Sequence, residues 1–258
     1  MSSSPTTIPI RAVLLDIEGT TTPIAFVHET LFPYARSEVR SYLEKHFESV
    51  ETREDLARLR EEHESDISEN LNPPALAVGS RDAEIDFTVA YVHWLIDRDR
   101  KSTALKSLQG KIWRQGYLEG TLRAPLFADV APALELWYRK GLRIGIFSSG
   151  SSLAQKLLFA HTEAGDVTRF IDNYFDTTIG LKTEVESYRR IAAALSLPAG
   201  EVLFISDIVG ELDAANATGM QTLLSVRPGN TVQPGQGHKN IQSFDEIPGL
   251  EDVSKTRL

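Results

Sequence analysis

Three short apolar runs in this chain are too brief to be helices, and each stops at an acid or a hydroxyl. They are Ala12–Leu15 before Asp16, residues 142–147 before Ser148 and Ser149, and residues 201–205 before Ser206 and Asp207. Unbroken runs of this length mark strands buried on both faces, the habit of parallel sheets in α/β proteins. Past Pro125 helical and extended patterns alternate, as βαβ units require. In a parallel sheet the carboxyl ends of the strands share one edge, where open α/β folds bind ligands. The expected fold class is therefore α/β with a parallel-sheet core, and Asp16, Ser148, Ser149 and Asp207 are expected along one edge.

Between the first two strands the texture changes. Residues 24–123 show little strand character and much helical periodicity, so they are expected to form an inserted helical subdomain, leaving 1–23 and 124–258 as the α/β core. Ala35, Val39, Leu43 and Phe47 recur at i, i+4, with Pro33 restarting the helix just before them. Thr52 is expected to cap a second, charged helix that breaks at Asn72-Pro73-Pro74. A third carries Ile85, Val89, Val92 and Ile96 on one face, and Ser102 caps a fourth with Leu105, Leu108 and Ile112. In the core, Pro132 and Gly141 bracket one helix. Thr183 with Glu186 reads as a capping box for another. Gly219 ends a third, and residues 227–230 read as a turn after a strand over 221–226. The tail after Gln233 offers one weak strand.

Composition removes several function classes. The 258 residues carry 36 acids against 27 Lys and Arg, a formal charge of -9 that argues against a nucleic-acid partner. With no cysteine, thiolate metal sites and a Cys nucleophile are excluded. Residues 1–7 have neither the basic start nor the apolar stretch of a signal peptide, and no run is long enough to span a bilayer. A cytoplasmic, membrane-free protein working as a monomer is the expectation. The six histidines show no metal-ligand spacing, and neither G-x-G-x-x-G nor a Walker A sequence occurs.

The strand ends suit phosphoryl transfer. Asp16 is ionised near neutral pH and can attack phosphorus without a base to deprotonate it. Two anions must then approach each other, which calls for a cation. Glu18, two residues on, is placed to ligate that cation or to carry a proton. Asp16, Glu18 and Asp207 offer hard oxygens for one Mg²⁺. Ser148 and Ser149 offer hydroxyls and N–H groups at a helix start, where anions are favoured. Lys182 stands before another helix, against the dipole, a placement that gains a reason if an anion lies beside it. Each residue alone has a plainer reading: a strand-end turn for Asp16, helix caps for Ser149 and Asp207, a solvated Lys182. Glu211 and Asp213 follow Asp207 as candidates for a supporting layer, His28 lies soon after the first turn, and Trp94, Trp113 and Tyr117 read as helix packing.

Asp16-x-Glu18-Gly-Thr, Ser148-Ser149, Lys182 and Ser206-Asp207 resemble the four motifs of haloacid-dehalogenase-type phosphatases, and the helical insertion resembles their cap domain. Longer phrases, LLDIEGTTTPIAFVHETLFPYA at 14–35 and DRKSTALKSLQGKIWRQGYLEG at 99–120, are similar to the enolase-phosphatase E1 family of methionine salvage. FADV, IFSSGS, YFDTTIGLKTE, ISDIVGELDAA and RPGN extend the likeness from about Arg11 to Asn230. The resemblance implies a Rossmann-like core and a Mg²⁺-dependent bifunctional enzyme. Its implied substrate is 5-methylthio-2,3-dioxopentyl 1-phosphate, enolised and then dephosphorylated to the acireductone 1,2-dihydroxy-3-keto-5-methylthiopentene. By position, Asp16, Glu18 and Asp207 would hold one Mg²⁺ per subunit, while Ser148, Ser149 and Lys182 would contact substrate. Most phosphatases of the superfamily have Asp where Glu18 stands, so Glu18 is also the candidate for the enolisation proton transfer. Trp113 and Tyr117 are candidates for the methylthio tail. The four motifs by themselves leave open a single-step sugar phosphatase or phosphomutase.

Overall fold

The computed structural model describes residues 8–76, 79–231, 234 and 237–250; the leader, residues 1–7, and Gln233 lie outside them. The chain divides into two compact units, one running up to Phe26 and resuming at Arg123, the other Val27–Leu122.

The first unit is built on six parallel strands: β1 (Ala12–Leu15), β2 (Arg143–Phe147), β3 (Asn173–Phe175), β4 (Val202–Ser206), β5 (Gln221–Ser225) and β6 (Lys239–Ile241), in the order β3-β2-β1-β4-β5-β6. β1 is flanked on both sides, and all four of its residues are fully buried. That burial is why its sequence is uninterruptedly apolar rather than alternating. Leu15 pairs with Ile146 on one side and Ile205 on the other, so the next residue, Asp16, stands level with Phe147 and Ser206. Four helices cover this sheet: α5 (Val130–Arg139), α6 (Ser152–Ala160), α7 (Val185–Ala194) and α8 (Val209–Asn216). Phe147, Tyr188 and Phe204 meet in the core beneath α7, with ring centroids 5.6 and 5.1 Å apart.

The helix start at Thr183 differs from expectation. α7 begins at Val185 with Glu184 as its N-cap and no side-chain cap bond. The approach is instead fixed by Ser187 Oγ donating to the Leu181 carbonyl (2.7 Å) and the Tyr188 hydroxyl donating to the Lys182 carbonyl (2.6 Å). Those side-chain bonds, each reaching back six residues from the first turn of α7, take the place of a capping box and fix the backbone from which Lys182 projects.

The second unit packs α1 (Phe32–His46), α2 (Val50–Ser68), α3 (Arg81–Asp97) and α4 (Thr103–Leu118) around one apolar core. Pro33 sits in the first turn of α1, which follows directly on a π-helical stretch, Phe26–Leu31, so the helix runs through the proline instead of starting there. α2 is capped by Ser49, not Thr52: Ser49 Oγ accepts from the Thr52 N–H at 3.2 Å and donates to the Thr52 hydroxyl at 2.8 Å. Ser102 caps α4 as its position suggests, accepting from the Leu105 N–H at 2.9 Å. α3 buries Phe87, Tyr91, Trp94 and Leu95 besides Ile85 and Val92, while Val89 and Ile96 stay half-buried. It packs against both α1 and α2, so one apolar stripe would not suffice. Among the described residues, no helix is long and apolar enough to cross a membrane.

Candidate active site

The first unit's strand ends gather an excess of buried negative charge. Asp16 (5 % exposed) ends β1, Asp207 (7 %) follows β4, and Glu211 (8 %) sits in the first turn of α8. A single ammonium faces them: Lys182 Nζ lies 2.5 Å from Asp16 Oδ1 and 2.7 Å from Glu211 Oε2. Glu211 Oε2 also accepts from the Ser206 hydroxyl at 2.8 Å. Three carboxylates against one cation is an unfavourable balance in a poorly solvated place. Burial, followed by the charges of Asp16 and Glu211, raises the Asp207 carboxyl to about 7, against the opposing pull of Lys182. Burial and Asp16 likewise raise Glu211 to about 7. Burial alone would lower the Lys182 ammonium's pKa, but Asp16 and Glu211 drive it above its ordinary range, so it stays charged.

The turn after β1 is packed to its limits. Gly19 adopts φ +71°, and a β-carbon there would come within 2.4 Å of Asp207 Oδ2 and 2.9 Å of Asn230 Oδ1. Only glycine meets both demands, conformational and steric. Glu18 lies half-buried in this turn, bridged to Thr22.

After β2, Ser148 is buried and its Oγ accepts from the Gly150 N–H (3.3 Å), whereas Ser149 is exposed. The start of α6 is partly satisfied from within: Ser151 Oγ accepts from Ala154 N–H at 3.3 Å and Asp176 accepts from Ser152 N–H at 2.9 Å. Asp207 does not cap α8, whose N-cap is Ile208. Of the two acids after it, Glu211 joins the cluster; Asp213 is half-exposed and meets His238 at 3.0 Å. The spacing Asp207-x-x-x-Glu211 carries the signal for this, since one turn of α8 returns the side chain to the strand end. His28 and the aromatics belong to the other unit. There His28 packs edge-on to Phe32, Trp113 donates to the Leu31 carbonyl at 2.8 Å, and Trp94 stacks on Tyr91. Tyr117 is buried in α4.

The donor set suits a hard divalent cation. Asp16, Asp207 and Glu211 offer carboxylate oxygens with charge in excess of Lys182, and Asn230 Oδ1 is buried by the Gly19 turn without a hydrogen-bond partner. Among the described residues, no three His, Asp or Glu side chains are close enough to cage a metal unaided. That is no obstacle for magnesium, which keeps several waters and takes one or two carboxylates plus substrate phosphate.

Residues 10–219 match the model of the haloacid dehalogenase-like hydrolases. An enolase-phosphatase E1 from Synechococcus elongatus is 50 % identical over 94 % of this chain and all of its own length. The chain belongs to the enolase-phosphatase E1 family of these hydrolases. A probable bifunctional methylthioribulose-1-phosphate dehydratase/enolase-phosphatase E1 from Arabidopsis thaliana is 45 % identical over 93 % of the chain, which spans 48 % of that larger protein. The crystal structure of the UTR4 protein from Saccharomyces cerevisiae superposes with a TM-score of 0.74 at 34 % identity, covering 92 % of this chain and all of that one. As a haloacid dehalogenase-like hydrolase the chain has the parallel α/β fold that its strand pattern implies. Phosphatases of this family generally use Mg²⁺.

Proposed function

We propose that this enolase-phosphatase acts on 5-methylthio-2,3-dioxopentyl 1-phosphate, enolising the diketone and then hydrolysing the phosphate ester to the acireductone, as a cytoplasmic step of methionine salvage. The observation that carries the phosphatase half is the Lys182 ammonium held between Asp16 and Glu211 at a strand edge with surplus negative charge. Lys182 holds Asp16 in one rotamer, with Oδ1 occupied and Oδ2 left to attack phosphorus. Attack forms an aspartyl-phosphate on Asp16 and expels the substrate alkoxide; water then hydrolyses the acyl phosphate and returns the carboxylate. Lys182 also neutralises transferring phosphoryl oxygens, and the Ser148 and Ser149 hydroxyls are our candidates for holding the phosphate.

A bound Mg²⁺, with Asp16 and Asp207 as its carboxylates, would offset the anionic repulsion and polarise a substrate carbonyl. Glu18, two residues after Asp16, is read as a further oxygen donor and is our candidate for the enolisation proton transfer. The Val27–Leu122 unit is read as the cap.

The test is incubation with the diketone phosphate and Mg²⁺, following enol absorbance and released phosphate together. Enol should precede phosphate. Turnover of hexose phosphates far above the diketone would replace this reading with a single-step sugar phosphatase. Undiminished phosphate release by Asp16→Asn would remove the nucleophile.

A further inference from the structure

We infer that Arg227 and Asn230 are positioning residues for the nucleophile turn, an inference that rests on the reading of Asp16 as nucleophile. The turn after β1 closes on itself through its N–H groups. Thr20, Thr21 and Thr22 all donate to the Ile17 carbonyl at 3.2, 2.9 and 2.9 Å, and Gly19 donates to the Thr22 carbonyl at 2.8 Å. Its carbonyls at Gly19, Thr20 and Thr21 are then left for outside donors. Ser225 Oγ (3.1 Å) and Asn230 Nδ2 (2.9 Å) donate to Gly19, Arg227 Nε (3.3 Å) to Thr20, and the Phe127 N–H (3.1 Å) to Thr21. A turn that carries Asp16 and Glu18 is thus gripped mainly by a segment some 200 residues later in the chain.

Arg227 is itself immobilised more than its one bond to the turn would need. It is 6 % exposed, forks onto Asp129 at 2.9 and 2.8 Å, and donates to the Gln242 carbonyl at 2.7 Å. Its guanidinium carbon lies 4.7 Å from both the Phe127 and Phe244 ring centres. A buried ion pair is a poor source of stability compared with apolar packing. What the planar fork supplies is orientation: with both Nη groups fixed, Nε is aimed at Thr20. Asn230 repeats the arrangement. Its Nδ2 donates to both Gly19 (2.9 Å) and Ser225 (3.3 Å), which fixes which way the amide faces. Oδ1 is thereby turned toward the place a β-carbon on Gly19 would occupy, the same place that Asp207 Oδ2 borders. Arg227 and Asn230 stand in the RPGN phrase and touch none of the residues expected to hold phosphate.

The experiment compares wild type, Arg227→Lys and Asn230→Ala by steady-state kinetics per folded molecule and by hydrogen exchange of the turn amides. Displacing the nucleophile by about 1 Å lowers kcat roughly 10–100-fold in both variants, with KM held within about threefold. The Thr20–Thr22 amides exchange faster while those of β1 and β4 keep their protection. Activity within about twofold of wild type in both variants would overturn the inference. So would faster exchange across the whole sheet with activity lost only in proportion to unfolded protein. If Arg227→Lys does not fold, Asn230→Ala decides alone, since it leaves the Arg227–Asp129 pair intact. Wild type inactive on both the diketone phosphate and p-nitrophenyl phosphate would instead overturn the nucleophile reading; the exchange arm still decides whether the two side chains hold the turn.

Discussion

The helical unit and the strand edge that carries Asp16 bury acids in opposite ways. In the helical unit each buried carboxylate has its own cation: Asp55 meets Lys111 Nζ at 2.6 Å, and Asp66 meets Arg100 while accepting from the Tyr91 hydroxyl at 2.6 Å. Charge is balanced pair by pair, and each pair ties helices together, α2 to α4 through Asp55 and α2 to α3 through Asp66. At the strand edge, among the described residues, Asp16 and Glu211 share one ammonium, Lys182, whose charge also acts on Asp207. The balanced pairs Asp55–Lys111 and Asp66–Arg100 are explained by the helices they join. An unbalanced cluster costs stability and persists only where something absent from the chain completes it. The difference separates architecture from chemistry without reference to any relative.

The largest effect should come from Asp16→Asn. Phosphate release falls by about 10⁴-fold or more, because the amide cannot form the acyl phosphate. Metal-free unfolding in denaturant should meanwhile show no loss of stability, since one of three crowded charges has gone. Asp55→Asn should do the reverse, lowering stability while sparing turnover per folded molecule. Were both variants to behave alike, the contrast between the units would fail.

Gly19→Ala comes next. The new methyl collides with the Asp207 carboxylate at 2.4 Å and the residue must hold φ +71°, so kcat should fall about 100-fold. Gly141 supplies the control. It has φ +76° but nothing within 4 Å of a β-carbon, so Gly141→Ala should cost roughly 1–2 kcal/mol of stability and no kcat. Equal kinetic effects from the two would mean that backbone strain, not crowding of the site, governs Gly19.

These positions also mark how far the sequence could be read. β1, β2 and β4 were legible because strands buried on both faces must be continuously apolar, and a parallel sheet brings their polar ends to one edge. The approach of Lys182 to Asp16 was legible only as an oddity, a cation set against a helix dipole. Thr183 and Thr52 misled because side-chain caps are local preferences. At α7 bonds from Ser187 and Tyr188 back to the Leu181 and Lys182 carbonyls replaced the cap, and at α2 Ser49, three residues before Thr52, took the capping position. The grip of Arg227 on Thr20 was beyond reach, since pattern along a chain does not say which distant carbonyl a buried guanidinium will find.

Acidity offers a subtler contrast. Asp207 and Glu211 are both raised to about 7 in the folded protein, chiefly by burial and then by neighbouring charge. A carboxyl whose pKa is higher folded than unfolded binds its proton more tightly when folded. Its stabilising contribution is therefore complete below about pH 4 and lost as pH climbs through about 7. Metal-free protein should lose roughly 2–4 kcal/mol of unfolding free energy between about pH 5 and 8, and Asp207→Asn should flatten that slope. Added Mg²⁺ should restore the loss at the upper end and do little at the lower. A slope unchanged by Asp207→Asn would place the titration elsewhere.

The smallest effect is expected from Lys111→Met in the helical unit. Asp55 is 1 % exposed, and without Lys111 it keeps no cation, so unfolding free energy should fall. Because the Lys111 side chain is itself 25 % exposed, water reaches the pair and the loss should be about 1–2 kcal/mol rather than the larger figure for a fully buried pair. Lys111 Nζ also donates to the Glu51 carbonyl at 2.6 Å in the first turn of α2, so the damage should concentrate where α2 meets α4. Hydrogen exchange should rise there first, with kcat per folded molecule unchanged. A drop in kcat with stability intact would mean that a balanced pair of the helical unit serves the reaction after all, and the distinction between that unit and the strand edge would have to be redrawn.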